Sequence, residues 1–291
     1  MLRIVGIDKV IENVIALSYS YSNERNFSFS KLKESYKRFL QHIQPAIPKG
    51  GSGTIEFVRD SHLTAELIEI FDEKSRLDDF DEIFSGEESL RLENLKKAEK
   101  YYQDLQEIDR NLFSLFSLVI NIVFSGPSDI AGGGSTSGAV GCIWVNPRPS
   151  WSSQDFIEFF IHEMTHNLVF LDEYRFHHYT SYSQMLSEEN YTISAILSRK
   201  RPLDKVFHSI MVSTEVLLSR CDLLGHPEVP KLHPPSEILF EKTCKSIEAL
   251  ENFPQCYNLL TARGKELIAL CKVKMSHIES CMNLKTCDAL Q

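Results

Sequence analysis

Residues 139–172 decide the reading: Ala139-Val140-Gly141-Cys142-Ile143-Trp144-Val145, a break at Pro147 and Pro149, then Ser152-Ser153 and an apolar run through His162-Glu163-Met164-Thr165-His166 to Asp172. The first seven residues predict a strand. The prolines end it, and Ser152 or Ser153 can cap a helix carrying Phe156 to about Asp172, with Asp155 favourable in its first turn. No Gly or Pro interrupts the segment between Gln154 and Leu171. On such a helix His162 and His166 stand one turn apart on the same face, so two imidazoles can share one ion. A strand followed by an HExxH helix therefore predicts a divalent-metal site and an enzyme.

Working outward, a Gly/Ser-rich stretch from Ser125 to Gly138 precedes the strand. Its Gly132-Gly133-Gly134-Ser135 lacks the spacing of phosphate-cradling loops, so no nucleotide site is expected there. Leu112 to Phe124 is the longest apolar run and reads as a helix, or as a helix running into a strand. It is interrupted by Ser114, Ser117 and Asn121 and falls short of the roughly 20 residues that span a bilayer. Helices are predicted near 30–44, 61–73, 87–107 and 203–223, with another capped by Ser236 and a last one from about Asn258 to Met282. A short strand is expected at Thr54–Val58, and the acidic stretch Asp78–Glu88 reads as a solvated loop. The expected fold class is α+β and mostly helical, with the HExxH helix after a short strand and helices on both sides, and no jelly-roll or cupin. Residues 1–110 form a mostly helical N-terminal region, a candidate for substrate recognition, and 111–291 the metal-binding catalytic region.

Composition narrows the class. The chain has 291 residues, 43% hydrophobic and 24% charged, with a formal net charge of −9. The longest basic block is Arg199-Lys200-Arg201, so nucleic-acid binding lacks its usual basic footprint. The N-terminus shows no uninterrupted apolar signal core, and the seven cysteines include no CxxC pair. Reduced thiols and a cytoplasmic location, without membrane association, are the resulting expectation. Three cysteines fall in the last 21 residues with spacing poor for a zinc cluster. The loop with His226 and His233 is read as structural. Tyr174 to Tyr182, with His177 and His178, suits a substrate-facing loop or ordinary packing.

Two histidines need a third ligand. Glu188 and Glu189 stand at the distance where many zinc peptidases place a glutamate. The extended motif with a histidine six residues on is absent, because Asp172 holds that position and Val169 replaces its glycine. His208 and Glu215 lie on one predicted helix and remain alternatives, as do His177 and His178. Glu163 itself could also turn inward.

The sequence resembles a bacterial family, the HExxH-motif peptide-modification proteins described as peptide β-hydroxylases dependent on iron(II) and 2-oxoglutarate. The matching residues are His162 to His166, Leu168-Val169-Phe170-Leu171-Asp172-Glu173, and Arg201-Pro202-Leu203 with His208 five residues after Leu203. The likeness covers roughly Gly138 to Leu223, and its second motif carries most of the discrimination. It implies Fe(II) held by His162, His166 and His208, a three-histidine departure from the usual two-histidine, one-carboxylate triad. Arg201 would grip the far carboxylate of 2-oxoglutarate through its planar fork, although alone it also reads as an exposed charge before a helix. Glu163 would orient a ligand or a water. The implied substrates are a peptide and O₂. The alternative is a zinc peptidase with Glu163 as general base, the strand at Cys142–Val145 pairing with an extended peptide. A third reading is a degenerate, non-enzymatic peptide-binding scaffold.

Overall fold

The computed structural model of the chain describes residues 1–22, 28–48, 50–51, 54–75 and 88–288. The fold is mostly helical α+β with a small mixed sheet. The acidic stretch from Asp78 lies, up to Glu87, outside the described residues. No helix among the described residues is long and apolar enough to cross a membrane. The chain divides into two compact units, Ile11–Leu171 and a second made of Met1–Val10 with Asp172–Gln291. Both boundaries, at Val10–Ile11 and at Leu171–Asp172, fall inside helices.

The chain opens on helices α1 (Leu2–Val5), α2 (Ile7–Ser18) and α3 (Phe29–Ile43). The first two were not legible from the amphipathic pattern. Strand β1 (Glu56–Phe57), helices α4 (Ser61–Ser75), α5 (Glu88–Ile108) and α6 (Arg110–Val119), and strands β2 (Ile122–Ser125), β3 (Gly133–Gly134) and β4 (Cys142–Val145) follow. The sheet order is β1-β2-β4-β3; β1, β2 and β4 run parallel, and β3 pairs antiparallel with β4. Both β2 and β4 are buried along their whole length, as expected of parallel strands covered on two faces. Period-two alternation puts Ile122, Phe124, Cys142 and Trp144 on one face, where they pack with Leu67 and Phe71 of α4.

The apolar run Leu112–Phe124 is a helix that becomes a strand. Asp109 caps α6 by accepting the N–H groups of Asn111 at 2.8 Å and Leu112 at 3.0 Å. At the other end Lys33 of α3 donates its ammonium to the carbonyls of Leu118 and Ile120, at 3.0 and 2.8 Å. A helix leaves its last carbonyls without intrahelical partners. The buried lysine satisfies one of these and the carbonyl just beyond, so the chain can leave the helix inside the core. Burial lowers the Lys33 ammonium well below its usual range.

Helix α7 (Ser153–Phe176) carries the HExxH segment and is longer at both ends than the apolar pattern indicated. Ser152 is its cap. The N–H and hydroxyl of Ser152 both donate to Asp155, at 2.8 and 2.7 Å, and the N–H of Asp155 returns a bond to the Ser152 hydroxyl at 3.1 Å. This is a reciprocal capping box with aspartate in place of glutamate. An aromatic layer seats the first half of α7. Tyr101 of α5 stacks on Phe156 with centroids 4.2 Å apart, and Phe116 of α6 meets Phe160 at 5.0 Å.

In the second unit come helix α8 (Tyr182–Met185), the antiparallel pair β5 (Thr192–Ile193) and β6 (Lys200–Arg201), and helix α9 (Leu203–Ser219). A π-helical turn, Arg220–Leu224, continues α9 before α10 (Ser236–Glu251), α11 (Pro254–Tyr257) and α12 (Ala262–Asp288). Two sequence expectations are corrected here. Ser236 is the first residue of α10, not its cap, and Pro235 holds the cap position. The last predicted helix, from about Asn258 to Met282, begins instead at Ala262 and runs to Asp288 as α12, and the short α11 before it was not expected.

Candidate metal centre

Along α7 every residue from Asp155 to Asp172 is buried except His162, His166 and Phe170. These three recur at i, i+4 and i+8, one line on the helix surface. The only partly open line of a buried helix therefore carries both histidines. Their Nε2 atoms lie 3.1 Å apart. Two metal–nitrogen bonds of about 2.1 Å to one ion would separate the nitrogens by about 3.0 Å at a right angle and about 3.4 Å at the tetrahedral angle. A contact of this length is either one hydrogen bond between neutral rings or the bite of a single cation. The Phe170 ring lies nearly parallel to His166, 6.3 Å away between centroids.

Glu163 faces the sheet side and is buried. Its Oε2 accepts the hydroxyl of Ser135 at 2.6 Å, and its Oε1 stands 3.9 Å from Nε2 of His162. Burial pushes its carboxyl up to about 7, against the opposing pull of the Ser135 hydrogen bond. Ser135 directly follows β3, and the glycines ahead of it explain how it gets there. A Cβ on Gly133 would sit 2.3 Å from the Phe159 ring of α7 and 2.7 Å from the Trp144 carbonyl. Only a residue without a side chain lets the edge strand lie this close to α7 and deliver Ser135 to Glu163.

The C-terminal side of the motif is tied down by Asn167. Its Oδ1 accepts the N–H of Gly141 at 2.7 Å, and its Nδ2 donates to the carbonyl of Glu163 at 2.8 Å. Neither Ser135 nor Asn167 stood out in the sequence. A Gly-rich run with no phosphate-loop spacing, and an asparagine next to a histidine motif, carry no periodic signal.

The other expected site residues lie in the second unit. His208 is buried on α9. Burial, followed by the charges of Lys205 and His178, holds its imidazole well below the usual range. Arg201 is half-buried on β6, paired in register with Thr192. Glu188 and Glu189 are exposed on a single 3₁₀ turn. Glu215 is already engaged: its carboxylate accepts Met1 N at 2.5 Å, Arg3 N at 2.7 Å and Ile4 N at 3.3 Å, closing the first turn of α1. Within the Ile11–Leu171 unit, no third His, Cys, Asp or Glu among the described residues closes on His162 and His166 as a compact donor group.

Asp172 and His178 belong to an anchor in the second unit. Asp172 accepts two bonds from the Arg263 guanidinium, at 3.0 and 2.7 Å, and faces Nε2 of buried His178 at 2.8 Å. Burial raises its carboxyl, but the bonds from His178 and Arg263 outweigh it and hold the group below its ordinary value. The expectation that a peptide could pair with the strand at Cys142–Val145 is also corrected. Strand β4 has β2 on one side and, at Trp144 and Val145, β3 on the other, so the edge strands of this sheet among the described residues are β1 and β3. Neither a family model nor a curated protein matches this chain.

Proposed function

We propose that the chain is an iron(II)- and 2-oxoglutarate-dependent oxygenase that hydroxylates a peptide side chain at its β-carbon, with His162 and His166 as two of the metal ligands. The observation that supports a metal is the 3.1 Å separation of the two Nε2 atoms on the one partly open line of a buried helix. The choice of iron and 2-oxoglutarate rests on the sequence likeness around Arg201-Pro202-Leu203 and His208. In that reading His208 is the third ligand. Arg201 would hold the far carboxylate of 2-oxoglutarate. The bound pair supplies an O₂-dependent conversion of C–H to C–OH, with 2-oxoglutarate leaving as succinate and CO₂. Ser135 holds one oxygen of Glu163, so the other is oriented beside His162 to steer a ligand or water.

A zinc peptidase is the second reading, favoured by two observations. Among the described residues β3 pairs only with β4, leaving an edge to which an extended peptide can add. Glu163 Oε1, 3.9 Å from His162 Nε2, is placed to take a proton from an attacking water.

Anaerobic purification followed by metal analysis separates the two. Iron(II) with 2-oxoglutarate should give a visible charge-transfer band that Arg201→Ala removes. Zinc alone in the purified protein, with no thermal shift on adding 2-oxoglutarate, rejects the oxygenase.

A further inference from the structure

The π-helical turn after α9 carries chemistry that the reading above does not use. Cys221 lies in this turn, His226 follows five residues later, and Cys281 is on α12. The Sγ of Cys221, one ring nitrogen of His226 and the Sγ of Cys281 all lie within 4.8 Å of one another, and each residue is half-buried. Neither thiol is in a disulfide. The separation of Cys221 Sγ and His226 Nε2 is 4.0 Å. Tetrahedral zinc, with bonds of about 2.3 Å to sulfur and about 2.1 Å to nitrogen, needs about 3.6 Å between those two atoms and about 3.8 Å between two sulfurs. The donors are therefore within a small side-chain adjustment of one ion.

A second observation points the same way. His226 Nδ1 lies 2.7 Å from the hydroxyl oxygen of Ser236, which also receives the buried Arg220 guanidinium at 3.2 Å. A serine oxygen has two lone pairs and can accept both N–H groups. The tautomer with hydrogen on Nδ1 leaves the Nε2 lone pair facing the thiols. A metal-bound histidine is usually oriented by such a hydrogen bond from its other nitrogen.

We propose that Cys221, His226 and Cys281 bind one thiophilic divalent cation, of which zinc is the type, independently of His162 and His166. Both cysteines bind as thiolates, each releasing a proton to solvent, so two negative sulfurs and a neutral imidazole balance a dication. The three donors leave a fourth position for water. Two ligands follow α9 and one lies on α12, so the cation would brace the end of α9 against α12. Sequence spacing hides the site, because Cys281 is far along the chain from the other two.

The test uses the reduced full-length protein titrated with Co²⁺ alone. One equivalent should produce a near-ultraviolet thiolate-to-cobalt band that Zn²⁺ displaces. The band should persist in a His162→Ala/His166→Ala variant and vanish in Cys221→Ser and Cys281→Ser. Ser236→Ala, which keeps all three donors, should weaken zinc binding about 10- to 100-fold. A missing band, or one unchanged by Cys281→Ser, overturns the proposal. So does a Ser236→Ala variant that binds zinc as tightly as the parent.

Discussion

The side-chain oxygen of Asn167 accepts the backbone N–H of Gly141 at 2.7 Å, joining the residue after the second histidine to the residue before β4. Strand and HExxH helix are thus registered by one buried amide, whose other end bonds the carbonyl of Glu163. Asn167→Ala leaves that N–H buried without its partner, at a cost of about 1–3 kcal/mol. Urea unfolding should show the loss, with metal affinity falling in parallel. An unchanged midpoint would mean that the contact does not hold the helix.

Gly133→Ala tests the close approach of the edge strand. The new methyl would collide with the Phe159 ring and the Trp144 carbonyl, so stability should fall by about 1–3 kcal/mol. Gly51→Ala is the control. There the nearest atom, a Glu56 carboxylate oxygen, is 3.4 Å from the added carbon, an ordinary contact. Equal melting temperatures for the two variants would rule out tight packing at β3.

Ser135 and Glu163 separate the two proposed chemistries. In an oxygenase Glu163 only steers a neighbour, so Glu163→Gln should retain measurable succinate formation and Ser135→Ala should lower it about tenfold. In a hydrolase Glu163→Gln removes the base, and turnover should fall by about 10² or more. Succinate release and peptide cleavage are scored in the same variants.

Acid should expose the Asp172 anchor. Its carboxyl is held below the usual value in the folded chain, whereas in the unfolded chain it returns to about 3.9. As the pH drops through about 5 toward the folded value, the unfolded state takes up the proton first. The stability supplied by the anchor is then complete above this range and lost within it. Arg263→Leu should cost on the order of 2–3 kcal/mol at neutral pH and flatten the acid limb of the stability curve. A variant with the same acid limb as the parent would falsify the assignment.

The local features were legible because they depend on neighbours in sequence. The HExxH spacing, the Ser152 cap with Asp155, the stops at Pro147 and Pro149, and the helical character of most segments each need only a few consecutive residues. Lys33 reaching the end of α6, Ser135 reaching Glu163, and Cys281 approaching Cys221 and His226 were not legible. Each joins residues that only chain folding brings within a few ångströms. An α-helix repeats every 3.6 residues whatever surrounds it, so residue spacing alone puts the two histidines one helical turn apart on a mostly helical scaffold. Tertiary packing set which face of that helix stays partly open and which residue holds Glu163. It also set which strands form the edges of the sheet, since burial and pairing depend on contacts that no local pattern encodes.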